Sequence, residues 1–344
     1  MEPIDLKDES TLIASIPLIL GFHPSESIIL VSAIVHPSGQ TRLGPVARMD
    51  LRHFAPYPGN ATPQLLEVVE GVKVARLQGV IVTGAKFDEP DLPLHLQVET
   101  FEDLCAKAGH SRVRVVHVPS FAPGQPWRGY CHDACSGTLP DVSGSELAAV
   151  NAHNGRRIFG SIQEVAQDFE PGPADVRMRL AQAVRDIATA VREEANRQDL
   201  PALGRRLQRV DSAVAAVESG NLPKTDTQIA DLIGAFGSID VAMAAVVPRR
   251  GDDDIVATQN LLHHLLRVAP SDDGAAIAGA LAVTYFLCGD NTRARLAVES
   301  TSEASILGHL MSLALKGTRS RDTAAGFLID ESIRRRGSLT GGLS

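Results

Sequence analysis

Residues 21–31 read GFHPSESIILV, which sets a histidine, a carboxylate and two serines directly before an apolar run. Glu26 and Ser27 at a strand edge would line a pocket. His23 would then shuttle protons, because an ordinary imidazole titrates close to neutral pH. The same residues also make a plain turn. Gly21 ends a helix, Pro24 stiffens the bend, and Glu26 or Ser27 bonds to exposed backbone amides. His23 would shuttle nothing in that case.

A second cluster is WRGYCHDAC, residues 127–135. Trp127 and Arg128, with Tyr130, could clamp a planar or anionic ligand by stacking and a guanidinium fork. The alternative is an edge strand with one buried indole. Cys131, His132 and Cys135 have metal-ligating chemistry. A structural zinc site wants four ligands from two separated pairs, and there is no second pair. No metal and no cofactor is therefore expected.

The third candidate is TGAKFDEPD, residues 83–91, after a short apolar strand. Ligands of open α/β sheets gather past the carboxyl ends of parallel strands. Thr83, Lys86, Asp88 and Glu89 would face such a crevice, or form a solvated acidic loop. No GxGxxG, GxxxxGK[ST] or GxSxG pattern is present, so nucleotide-phosphate and serine-hydrolase fingerprints are missing. Asp252, Asp253 and Asp254 open a helix and offset its dipole. His263 and His264 are adjacent on a helix and do not share a face. Cys105 and Cys288 read as small buried hydrophobes. Arg334, Arg335 and Arg336 read as part of a solvated tail.

The elements that must position these residues change type along the chain. Residues 8–21 read as a helix with Ser10 as N-cap and Pro17 shortening it. Strands are predicted at 27–35, 45–51, 79–84 and 112–119, with a last edge strand at 126–131. Helices are predicted at 64–78 and 92–109. A helix between strands makes the neighbouring strands parallel, so residues 1–155 form an α/β domain, a sandwich with a mixed sheet. Beyond it the pattern is helical, at 174–198, 201–218, 226–246, 253–268, 275–288, 292–300 and 303–315. Residues 156–316 are thus an α-helical domain. Residues 317–344 read as a weakly ordered polar tail, with at most a short helix near 322–334.

The whole chain has 344 residues, 44% hydrophobic and 22% charged, with a formal charge of −8. That length favours two domains, and the composition is globular. The acidic balance argues against nonspecific nucleic-acid binding. The first ten residues lack a signal-peptide pattern, and the longest uncharged apolar run, 274–289, is too short to span a membrane. Four cysteines fit a reducing cytoplasm.

Four stretches carry a family resemblance: LIASIPLILGFHPSESIILVSAI (12–34), RLGPVARMDL (42–51), PWRGYC (126–131) and TYFLCGDNTRARLAVES (284–300). They resemble DUF4192, an actinobacterial domain of unknown function. Gly21, Phe22, Pro24, Glu26 and Ser27 match its N-terminal motif, and His23 fills a variable slot. The loop HDACSGTLP is shorter than the proline- and cysteine-rich loop usual in the family. The resemblance implies a fold and no activity. The helix pair near 278–297 also resembles one tetratricopeptide unit, with small residues where two helices meet.

Two function classes follow. One is a non-catalytic ligand-binding or interaction protein, whose helical domain meets a protein partner or a second copy and whose sheet takes a small anionic or planar ligand. The other is a hydrolase or group-transfer enzyme at the sheet edge. There Glu26 would be general base and Arg128 an anion holder, with Asp50, His117 and Asp133 as neighbours. The candidate ligand-binding set is Phe22, Pro24, Glu26, Ser27, Asp50, Thr83, Lys86, His117, Trp127, Arg128 and Asp133. Cys131 and Cys135 would serve a third reading, a zinc-dependent module.

Overall fold

Ile28, Ile29, Leu30 and Val31 form an unbroken apolar run, which suits a strand buried on both faces. In the computed structural model this run lies in β1 (Ser27–Val35), an interior strand next to the edge of a six-stranded sheet of order β2-β1-β3-β4-β5-β6. The structure describes residues 8–35, 41–70, 73–84, 92–110, 113–131, 135–153, 156–247, 252–270, 273–300, 305–315 and 321–341. The chain divides into two compact units, Met1–Glu164 and Val165–Ser344.

In the first unit, α1 (Glu9–Ala14) and α2 (Ile16–Leu20) precede β1. The helix expected over 8–21 is thus broken at Ser15, with Pro17 in the first turn of α2. Asp8, rather than Ser10, caps α1 by accepting the Ser10 amide at 3.1 Å. Gly21 ends α2 with φ 79, a left-handed conformation that glycine adopts without a Cβ clash. Next come β2 (Thr41–Asp50), α3 (Leu51–Phe54), α4 (Pro58–Leu66), a 3-10 turn at Glu67–Val69, and β3 (Val74–Val82).

The helix expected over 64–78 is therefore overturned in its second half. Val74 to Gln78 pair with β1 from Ile34↔Val74 to Val31↔Gln78, and this pairing overrides the helical spacing. The unit continues with α5 (His95–Lys107), β4 (Val113–Val118), β5 (Pro126–Gly129), β6 (Ser136–Thr138) and α6 (Glu146–His153). β1 is antiparallel to β2 and β3, while β3 and β4 are parallel across α5, as a crossover helix requires.

Strand alternation sorts the core into two layers. Ile29, Val31, Val80, Val82, Val116 and Val118 pack against Leu12, Ile13 and Ile16 of α1 and α2. Ile28, Leu30, Ile81 and Val115 pack against Phe54, Leu65, Val98 and Phe101 of α3, α4 and α5. Each such side chain contributes about 2 kcal/mol by leaving water. Gly79 lets α5 approach, since a Cβ there would meet Val115 at 3.0 Å and Phe101 at 3.4 Å.

α7 (Ile162–Gln167) leads into α8 (Ala174–Asn196), α9 (Leu200–Glu218), α10 (Asp226–Ala235), α11 (Ile239–Ala245), α12 (Asp252–Val268), α13 (Gly274–Leu287), α14 (Asn291–Glu299), α15 (Ile306–Leu315) and α16 (Arg321–Thr340). The helix expected over 226–246 is two helices, because Ser238 recaps the chain by accepting the Asp240 amide at 3.2 Å. α13 is buried on nearly every side. Gly279 sits where α15 crosses it, and a Cβ there would stand 2.7 Å from that of Leu307. Among the described residues no single helix is long and apolar enough to cross a membrane.

The expected weakly ordered tail is corrected. Residues 321–340 are helical, with Leu328, Ser332 and Leu339 buried. Arg336 donates to Asp211 at 2.8 and 3.1 Å and to the Ala244 carbonyl at 3.0 Å. Arg335 pairs with Asp240, and Arg334 with Glu331. The arginine run, whose chemistry looks like a solvated tail, is what docks α16 on α9 and α11.

Candidate functional site

Strand directions bring the start of β1, the ends of β2, β3 and β4, and the start of β5 to one rim, since Ser27 pairs with both Asp50 and Val82 and His117 with Ile81 and Arg128. Most described members of the candidate set stand there. They fall into two groups, because alternate side chains of a strand face opposite ways.

One group lies on the α1–α2 face. Ser27 is fully buried; its hydroxyl donates to the Ser25 carbonyl at 2.6 Å and accepts Arg48 Nε at 2.9 Å. Arg48 also bonds to Asp50, and its guanidinium stands 5.8 Å from the centre of the Phe22 ring. Phe22 is buried and bridges to Phe159, with the His23 amide donating to the Phe159 carbonyl at 2.9 Å. Pro24 is buried, and His23, between it and Phe22, is exposed. Arg52 adds a second cation to Asp50 at 3.3 Å.

The other group lies toward α3–α5. The Glu26 carboxylate accepts the Thr83 hydroxyl at 3.0 and 3.1 Å and the Gly84 amide at 3.1 Å. Glu26 holds φ 42, a left-handed conformation uncommon for a residue with a Cβ. Its carbonyl accepts the Leu51 amide at 2.8 Å, so one residue ties together the starts of β1 and α3 and the end of β3. His117 is fully buried with Nε2 3.2 Å from the Thr83 carbonyl. That carbonyl can only accept, which assigns the proton to Nε2. Burial drives the His117 pKa down to about 4, against the upward pull of the Thr83 bond and the Glu26 charge. The imidazole is neutral at pH 7.

Trp127 and Arg128 do not form one clamp. Trp127 lies on the α1–α2 face, 5% exposed, and its Nε1 donates to the Ser10 hydroxyl at 2.9 Å. The indole covers Gly137 of β6, where a Cβ would meet the ring at 2.6–2.9 Å. Arg128, one residue on, faces the other way. Tyr130 packs toward α5 and donates to the Pro93 carbonyl at 2.6 Å. Lys86, Asp88, Glu89, His132 and Asp133 lie outside the described residues. Among the described residues no group of three or more His, Cys, Asp or Glu side chains could hold a metal ion.

Arg48 was not singled out from the sequence. Its signal is its place two residues before Asp50 in an alternating strand, which sets the two side chains on one face. The carboxylates of the rim are engaged by hydroxyl, amide and guanidinium donors. The arrangement can hold a shape and a charge pattern. A general base would first have to give up one of these bonds.

Elsewhere in the chain, the outer side of α15 carries Ile306, Leu310 and Leu313, 66%, 36% and 42% exposed. On a different side of α15, Arg295, Val298, Glu299, Ser312 and Leu315 line an open cavity of about 260 Å³ between α14 and α15.

A family model described as "Domain of unknown function (DUF4192)" matches residues 10–318. No curated protein and no solved structure matches the chain.

Proposed function

Since the chain belongs to the DUF4192 family, whose description carries no activity, we propose from its own geometry that it is a non-catalytic binding protein of the cytoplasm. Its helical unit meets a protein surface, in the first instance a second copy of itself, and the sheet rim takes a small anionic ligand. The observation that carries the reading is the row Ile306, Leu310 and Leu313 on α15. Three apolar side chains at helical spacing, turned outward on one helix face, are what an interaction face requires. The pair α13–α14 supports it as a tetratricopeptide-like unit, since Ala278, Ala282, Ala294 and Ala297 are all buried where the two helices pack. At the rim, bonded carboxylates favour recognition over proton transfer.

The test is solution mass. Wild type should exceed the single-chain mass at high concentration, and the double change Ile306→Glu with Leu310→Glu should return it to one chain without lowering the thermal midpoint. A wild type that stays at one chain at every concentration overturns the self-association.

One observation favours the enzyme reading, a hydrolase or group-transfer site around Glu26, Asp50 and Arg128. Glu26 holds a left-handed backbone beside the carboxyl ends of the parallel pair β3–β4, and such conformations gather at functional sites. Under it, Glu26→Gln abolishes a turnover that wild type shows in a substrate screen. Under the binding reading, wild type turns over nothing.

A further inference from the structure

The rim opposite Glu26 holds a pair of thiols. The β5–β6 hairpin pairs Arg128 with Ser136, and the Gly129 amide donates to the Cys135 carbonyl at 2.7 Å. A Cβ on Gly129 would stand 2.1 Å from the Cys135 sulfur and 3.2 Å from the Cys131 sulfur. Both sulfurs therefore lie over one stretch of bare backbone, and a hydrogen bond joins them. Both residues are partly exposed, unlike Cys105, which is fully buried and whose thiol burial pushes up to about 12.

Arg114, the second residue of β4, completes the cluster. Its charge interacts with both sulfurs, while its guanidinium donates to Glu9 at 2.8 Å. The Arg114 cation favours the thiolate, the form that attacks disulfides, while the Glu9 carboxylate that holds it pulls the other way at Cys135. The pair is unequal. Cys135 packs against the core. Burial, and then its bond to Cys131, raise its pKa to about 11. Cys135, packed against the core, is the poorer nucleophile of the two, which leaves Cys131 as the attacking group.

We propose that Cys131 and Cys135 are a reversible thiol–disulfide site that exchanges with small-molecule disulfides. The Cys131 thiolate attacks one sulfur of the oxidant, forming a mixed disulfide and releasing one small thiolate. Cys135 then loses its proton and attacks the Cys131 sulfur, forming the internal bond and releasing the second thiolate. Two protein thiols are oxidised, one disulfide is reduced to two thiols, and the two protons leave with them. The bond closes the mouth of the hairpin that carries Trp127. Among the described residues no third or fourth ligand joins the two cysteines, and a structural zinc site wants four.

The full chain is incubated with oxidised glutathione, alkylated after unfolding, and peptide-mapped by mass spectrometry. The expected product has lost two hydrogens, links Cys131 to Cys135, keeps Cys105 and Cys288 alkylatable, and reverts with dithiothreitol. Cys135→Ser should stop at a mixed disulfide on Cys131. Arg114→Gln should slow oxidation by about tenfold. The proposal is overturned if wild type ends with glutathione on both cysteines, links between chains, or stays fully alkylatable. It is also overturned if the purified chain carries stoichiometric zinc that blocks both thiols.

Discussion

Glu26 and Thr83, 57 positions apart in sequence, are joined by a hydroxyl-to-carboxylate bond of 3.0 Å, and the neighbouring Gly84 amide reaches the same carboxylate at 3.1 Å. The pair ties the turn before β1 to the end of β3. A charge-assisted bond of this kind contributes about 1–2 kcal/mol where water competes only in part. Urea unfolding of Glu26→Ala, Thr83→Ala and the double variant should give a coupling energy of about 1 kcal/mol. Strict additivity would mean that the bond holds nothing in solution.

The Glu26 backbone makes a separate prediction. At φ 42 a Cβ is strained and a glycine is not. Glu26→Gly and Glu26→Ala lose the same carboxylate bonds. Glu26→Gly should nevertheless be the more stable of the two by about 1 kcal/mol, reversing the usual order of alanine and glycine. Equal midpoints would show that the turn relaxes out of the left-handed region.

How far this rim was legible in the sequence follows from the range of each signal. Gly21, Pro24 and the run 27–35 are local, so the turn and its strand could be read directly. The mixed sheet followed, because a helix between strands dictates direction. Glu26 and Thr83 were both named as candidates, but their bond depends on β1–β3 register, and no local pattern encodes that. Trp127 shows the limit more sharply. It was the lone tryptophan beside an arginine, and the strand period that sets them on opposite faces was legible. Its hydrogen bond to Ser10, 117 positions away, was not. Residues 317–344 misled because composition reports solvation, while Arg335 and Arg336 find their carboxylates on α9 and α11 only after folding.

His117 links the rim to pH. The folded imidazole, with its pKa held near 4 by burial, stays neutral where the unfolded one, near 6.5, takes up a proton. A depressed folded value means that the unfolded state binds more protons as pH falls. Stability from this group is complete above about pH 6.5, is lost on descent toward pH 4, and changes no further below that. The full loss is on the order of 3 kcal/mol. Unfolding free energy measured between pH 7 and pH 5 should fall more steeply in wild type than in His117→Gln. Parallel slopes would place the titrating group elsewhere.

The last prediction concerns α16, which lies beyond the matched family region of 10–318. Arg336 is only 20% exposed and Asp211 only 19%. Removing the guanidinium takes a charged donor from a largely buried carboxylate and from the Ala244 carbonyl together. Arg336→Ala should therefore cost about 2–3 kcal/mol, well above an exposed ion pair. Asp211→Asn should cost less, because an amide oxygen still accepts from the fork. Limited proteolysis supplies the second measurement. If this pair carries most of the docking, Arg336→Ala should release α16 as the first fragment while α8–α13 stay protected, even though Leu328, Leu339, Ser332 and the Arg335–Asp240 pair remain. A variant cleaved no faster than wild type would transfer the anchoring role to Arg335, Ser332 and the two leucines.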